Sequence, residues 1–261
     1  MTLKKKLLVA LCAIVVLAAV VAASVMGTVA YMVSASKVSN VFTIGNVLIT
    51  LNEGKVDANG KLLTGDKAER VDNNSYHLIP GKDYDKDPTI TVDPTTDACY
   101  LFLVTRNQIT NIEVQNNPEK KTMAQQMYAN GWAIYKDTTA GTRVWIYCGS
   151  NTITGTYGQS DYLYTPVAVC GTDRKASITP NDTNIIVAPE KIKIFEKFYL
   201  ADTIPNIQIY SGAEVTINAV GIQADGFGDI GSSGSIDAAW AAVVAAFPYI
   251  NDQVTTPDSQ N

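Results

Sequence analysis

The sequence predicts an all-β chain: a jelly-roll-like β-sandwich with a helical insertion and a short C-terminal helix. Three observations lead there. Apolar residues recur with a period of two in several short segments: Val47, Ile49 and Leu51; Ile90 and Val92; Ile192 and Ile194; Val215, Ile217 and Ala219. The run from Cys99 to Val104 is apolar at nearly every position and rich in β-branched or aromatic groups, the pattern of a central strand covered on both faces. Clusters of Gly, Pro, Asn and Asp separate these runs, so the strands are short and joined by turns. At 261 residues, 46% hydrophobic and 17% charged, the chain can build a real core and is neither collagen-like nor low-complexity.

The amino terminus reads as an export signal. Lys4, Lys5 and Lys6 precede a stretch from Leu7 to Met26 with no charge and no strong helix breaker. That stretch is about 20 residues, roughly a bilayer thickness at 1.5 Å per residue, so a retained transmembrane anchor is the alternative to cleavage. Gly27 can end the helix, and Thr28 and Ala30 fit the small-residue pockets of a signal peptidase, placing the cut between Ala30 and Tyr31, with a later cut after Ala35 or Ser36 as the alternative. Subtracting the three leader lysines from 20 basic residues leaves 17 against 25 acidic ones, a formal charge of −8 for the mature chain. Such a surface repels phosphate backbones and anionic headgroups, which argues against nucleic acid, and against any membrane contact except through the uncleaved leader.

Residues 31–251 are read as one β-sandwich domain. Its first part, 31–44, is an arm whose Val41, Phe42 and Ile44 can fill side-chain pockets. Phe42 and Ile44 are even-numbered, whereas Val47, Ile49 and Leu51 are odd, so the buried face changes phase at Gly45-Asn46; that dipeptide is expected to mark a bulge or the break between arm and body. Residues 34–40 are polar enough to be free in a monomer. The arm can complete a partner's open sheet edge or pair within its own sheet. Further on, Trp132 to Lys136 and Arg143 to Cys148 flank a turn-rich linker and read as a hairpin.

Two helices interrupt the strands. The insertion at 106–131 is partly helical, with Asn117 as cap, Pro118 in the first turn, Met123 and Met127 on one face and Gly131 as stop. Near the end, Ser235 is the expected cap of a helix carrying Ile236, Trp240, Val243, Val244 and Phe247 before Pro248. The glycines at 221, 226, 228, 231 and 234 read as a flexible connector to that helix, and residues 252–261 as a flexible tail.

Catalytic patterns are sparse. The single histidine, His77, cannot supply H-E-x-x-H and has no nucleophile motif beside it, so its expected role is packing or hydrogen bonding. Cys12 leaves with the leader; Cys99, Cys148 and Cys170 remain, either as buried free thiols or with Cys148 and Cys170 bridged. Asp83, Asp85 and Asp87 alternate as calcium ligands can, but Pro88 and Pro94 occupy the glycine and glutamate positions of an EF-hand loop, so a solvated turn is expected, with a weak surface calcium site as the alternative. The 13 tyrosines are expected on half-buried sheet faces more than in sugar-binding platforms.

Several of these motifs carry a resemblance. The lysine-led leader ending in Gly27-Thr28-Val29-Ala30, followed by Phe42-Thr43-Ile44-Gly45-Asn46-Val47, resembles exported proteins processed by the SipW-type signal peptidase. Pro80-Gly81-Lys82, then Lys86-Asp87-Pro88-Thr89-Ile90-Thr91-Val92 and Cys99-Tyr100-Leu101-Phe102, resembles their second signature. Gln223-Ala224-Asp225-Gly226-Phe227 with Ala238, Ala239 and Trp240 resembles the third. The chain is thus similar to the TasA/camelysin family over roughly residues 1–105 and 210–250, with the middle unmatched. That resemblance implies a jelly-roll subunit of extracellular biofilm fibres that donates its amino-terminal strand to a neighbour. Its implied partners are the signal peptidase, other copies of itself and accessory matrix proteins. The expectation is a secreted, non-enzymatic matrix or cell-surface protein without a cofactor. A monomeric surface adhesin or binding module is the second reading, and a camelysin-like metallopeptidase the third.

Overall fold

The computed structural model describes residues 32–33, 37–137, 141–178, 184–248 and 250. The leader, Cys12, the cleavage position at Ala30 and Tyr31, and the tail 252–261 lie outside the described residues. Among the described residues no helix is long and apolar enough to cross a membrane. In chain order the strands are β1 (Met32–Val33), β2 (Lys37–Ile44), β3 (Ile49–Gly54), β4 (Arg70–Val71), β5 (Tyr76–His77), β6 (Asp83–Asp85), β7 (Thr89–Val92) and β8 (Cys99–Asn107). Helix α1 (Met123–Ala129) follows, then β9 (Trp132–Asp137), β10 (Thr142–Tyr147), β11 (Ala168–Cys170), β12 (Ile185–Val187), β13 (Ile192–Lys193), β14 (Lys197–Tyr199), β15 (Val215–Gln223) and helix α2 (Ser233–Ala246).

The chain is a β-rich sandwich with two α-helices among the described residues. Its larger sheet is built on β8, which is antiparallel to β15 along its whole length, from Val215 opposite Asn107 to Gln223 opposite Cys99. On its other side β8 pairs with β10 and, at Cys99, with β11. Outside these lie β9 against β10, β12 parallel to β11, and β2 parallel to β15. The smaller sheet runs β13-β7-β3-β4, and β6 pairs with β14 as a separate ribbon.

Alternation along β8 divides the interior in two. Cys99, Leu101 and Leu103 face a core shared with Leu51, Ile90 and Ile192 of the smaller sheet. Tyr100, Phe102 and Val104 face a second core closed by Ile236, Ala239, Trp240 and Val243 of α2. The layers are therefore sheet, sheet and helix, with β8 and β15 in the middle layer. The expected hairpin is present as β9 and β10, with a register shift between Val144 and Trp145.

Both helix starts differ from the sequence expectation. α1 begins six residues after Asn117, at Met123, because Thr122 and Gln125 form a reciprocal capping box. Asn117 instead accepts the N–H groups of Glu119 and Lys120 in a local turn. Met123 and Met127 are buried as expected. In α2 the cap is Ser232, whose hydroxyl accepts the Ser235 N–H; Ser235 is itself buried and shares a hydrogen bond with Tyr100 Oη at 2.8 Å. A second correction concerns the supposed connector. Gly221 lies within β15, where a Cβ would come within 2.6 Å of Val47 Cγ1, and Gly234 lies in α2. Gly221 is thus a packing residue that lets the smaller sheet close on the β15 backbone.

Gly221→Val should destabilise the fold by about 1–3 kcal/mol through overpacking, read as a lower urea midpoint. Trp240→Ala, which removes ring contacts to Phe102 and Tyr135, should cost about 3–5 kcal/mol. Unchanged midpoints would contradict the layer assignment.

Candidate functional site

The arm is not free. Residues 37–44 lie as β2 along the outer edge of β15, with Val41 opposite Ala219, Phe42 opposite Val220 and Ile44 opposite Ile222. This corrects, for residues 37–40, the expectation of an arm free in a monomer, while residues 34–36 lie outside the described residues: an uncovered β15 would present a row of unpaired backbone groups, and β2 satisfies them. Phe42 and Ile44 are half-buried on the helix side, where Phe42 meets Phe247 at a ring separation of 5.0 Å. Val41 is 36% exposed on the opposite face.

At Gly45 (φ +84°) the chain leaves the larger sheet, and Asn46 secures the crossing through Asp97 at 3.1 Å. Val47 and Leu51 then enter the core between the sheets. The phase change at Gly45-Asn46 is therefore a passage from one core to another, not a bulge within a strand. At the far edge of the larger sheet, β9 is covered by side chains: Tyr157 Oη accepts from Asp137 N–H at 3.0 Å, and Tyr162 Oη donates to the Ile134 carbonyl at 3.1 Å.

Sequence reasoning missed a buried polar cluster beneath β3. Glu53 and Lys86 are both 0% exposed, and Lys86 Nζ donates to Glu53 Oε2 at 2.5 Å. Asn74, also buried, donates from Nδ2 to Glu53 Oε1 at 2.9 Å and to the Gly54 carbonyl at 2.8 Å. Its Oδ1 accepts the Val56 N–H at 2.9 Å. Tyr76, Tyr84 and Phe198 form an aromatic wall beside it, with Lys86 Nζ 5.8 Å from the Tyr76 ring centre. The available signal was phase: Glu53 continues the inward series Val47, Ile49, Leu51, and Lys86 follows the buried Tyr84 by two.

A second buried carboxyl, Glu113, stands in the 106–131 insertion. It accepts from Met123 N–H at 2.9 Å and Asn107 Nδ2 at 3.0 Å, and burial pushes its carboxyl up from 4.5 to about 7. It lines a cavity of about 510 Å³ together with Thr105, Asn107, Met123, Arg143 and Trp145.

The remaining sequence candidates are separated in space. Cys99, Cys148 and Cys170 are buried free thiols, so the Cys148–Cys170 bridge is not formed. Cys148 packs among Val144 and Ile146 on the helix side, while the β11 strand that ends in Cys170 is registered on Cys99. Burial pushes the Cys148 thiol up to about 12, leaving it protonated and unreactive at neutral pH.

Asp83, Asp85 and Asp87 are held by cations of the chain: Lys61 lies 2.5 Å from Asp83 and 3.7 Å from Asp85, Lys197 lies 3.5 Å from Asp85, and Arg70 lies 2.7 Å from Asp87. Among the described residues no group of three or more His, Cys, Asp or Glu side chains could hold a metal ion. His77 is exposed on β5, and its carbonyl accepts the Tyr84 hydroxyl.

No family model, curated protein or solved structure matches the chain. The features that define its class are those of the molecule itself: a sheet with one edge formed by an amino-terminal strand, and buried ionisable groups beneath the smaller sheet and the insertion.

Glu113 sets a pH dependence with a definite sign. Its folded value is raised, so its favourable contribution is complete below about 4.5 and is lost as pH rises through about 7, a difference of about 3 kcal/mol. Urea unfolding at pH 5 and pH 8 should show a fall in stability for the native chain that shrinks in Glu113→Gln; equal falls in the two would reject this assignment.

Proposed function

We propose that this chain is an exported structural subunit of an extracellular or cell-surface matrix fibre, with a jelly-roll-like body that assembles by donating its amino-terminal strand to a neighbouring subunit. The observation that carries the reading is the position of β2. It is an edge strand held to its sheet by one parallel ladder with β15, and it joins the body through Gly45-Asn46. The contacts that Val41, Phe42 and Ile44 make within one chain can be made by the same residues of a second copy, since an exchanged element gains the same partners. Removal of the leader by a SipW-type signal peptidase after Ala30 frees the arm from the membrane and so licenses exchange. Accessory matrix proteins are further partners in this scheme.

The 510 Å³ cavity lined by residues of the 106–131 insertion favours a second reading, a monomeric surface binding module.

Electron microscopy of the mature chain separates the two. Fibres should form from the mature protein and fail to form when residues 31–44 are deleted. Val41→Cys with Ala219→Cys, placed at paired positions, should lock the arm in its own sheet when oxidised. Fibres should then disappear and return on reduction; fibres from the oxidised, fully locked protein would exclude strand donation.

A further inference from the structure

We propose that Lys86 and Asn74 become joined by a side-chain amide, in a self-catalysed reaction for which Glu53 carries the proton. The proposal is independent of polymerisation. It rests on the hydrogen bonds that place one buried carboxylate between an amine and an amide.

Each component of an amide exchange is present, and each is held. The nucleophile is Lys86 Nζ, fully buried and 2.5 Å from Glu53 Oε2. The electrophile is the Asn74 carboxamide carbon. Its oxygen already accepts the Val56 backbone N–H at 2.9 Å, a donor placed where negative charge develops when the carbon is attacked. The leaving group is the amide nitrogen, Nδ2, 2.9 Å from the other oxygen of the same carboxylate. One carboxylate thus bridges the group that must lose a proton and the group that must gain one. The Gly54 carbonyl, 2.8 Å from Nδ2, fixes the plane of the amide.

An amine attacks only in its neutral form, and water holds a lysine in the charged one. Here Lys86 and Glu53 are cut off from bulk solvent. The hydrogen bond from Lys86 Nζ to Glu53 Oε2 is the path along which the proton leaves the amine. The Tyr76, Tyr84 and Phe198 rings exclude water from one side. Fixed positions on three separate segments replace a bimolecular encounter by an intramolecular one.

The steps balance. Glu53 Oε2 takes a proton from Nζ, and the freed amine adds to Asn74 Cγ with charge passing to Oδ1 opposite the Val56 N–H. Glu53 Oε1 returns a proton to Nδ2, the Cγ–Nδ2 bond breaks, and ammonia leaves. The tetrahedral carbon collapses to an amide, and the second amine proton neutralises the carboxylate or departs with solvent. One carbon–nitrogen bond has formed and one has broken; nothing is oxidised or reduced, and no outside reagent is needed. The product closes a covalent ring around β5 and β6 at the smaller sheet.

Intact mass spectrometry of the purified mature chain tests this. The native protein should be lighter than its sequence by one ammonia, and digestion should yield a branched peptide joining the segments that contain Asn74 and Lys86. Glu53→Gln should restore the full sequence mass while circular dichroism reports a folded chain. Asn74→Asp provides a second test should Glu53→Gln not fold: loss of water in place of ammonia gives the same amide, so its linked form should have the same mass as the linked native protein. A folded native chain at full mass overturns the proposal, as does a mass deficit that persists in Lys86→Arg.

Discussion

The structure depends on one strand being buried on both faces. Residues Cys99 to Val104 of β8 are at most 1% exposed, and their side chains point alternately into two different cores. Burial of each Leu, Phe or Val is worth about 1.5–3 kcal/mol, so a strand of this composition is stable only with apolar material above and below. The smaller sheet supplies one cover and α2 the other. β15 shares the constraint, with Ile217 and Ala219 on one side and Val220 and Ile222 on the other. Gly221 interrupts that series where Val47 and Ile49 pack against the β15 backbone.

Among the described residues, two buried acidic side chains sit in this interior on different terms. Glu113 is received by neutral donors, so its burial is uncompensated by a cation and its carboxyl rises to about 7. Glu53 has Lys86 and Asn74 and satisfies both oxygens. A buried pair of this kind is weak evidence for stability, since apolar residues of similar size often do as well. Its value is chemical: it keeps an amine, a carboxylate and an amide in contact where water is excluded. The half-buried carboxylates at Asp83 and Asp85 of β6 and at Asp87, expected in a solvated turn, are instead paired with Lys61, Lys197 and Arg70.

Edges connect the fold to its proposed use. A sheet exposes backbone donors and acceptors at its margins, and a protein that remains soluble must cover them. At β9 the cover is two tyrosine hydroxyls from the 149–166 loop. At β15 the cover is a whole strand, joined to the body at a glycine with positive φ. Covering an edge with tyrosines is local to one chain, whereas covering it with a terminal strand uses an element that another copy also possesses. In the proposed assembly, the ladder that closes this edge within one chain is the one a neighbour's strand forms.

The sequence by itself determined the strand-rich class, the two-sided burial of β8, the β9–β10 hairpin and the apolar stripe of α2, because each is written in the spacing of adjacent residues. It also held the anomaly of Glu53 and Lys86, acid and base at inward phases, though spacing alone does not bring residues 53, 74 and 86 together. The helix starts are not legible in the sequence because Asn117 and Ser235 offer the same capping oxygens as Thr122 and Ser232, and only the backbone geometry selects between them. Only the tertiary structure decided that the arm lies on β15, that Gly221 is a packing contact, that Cys148 and Cys170 stay apart, and that one carboxylate touches both an amine and an amide. Those outcomes depend on which distant segments share a core, and proximity in space is set by the summed burial of the whole chain, not by any local pattern.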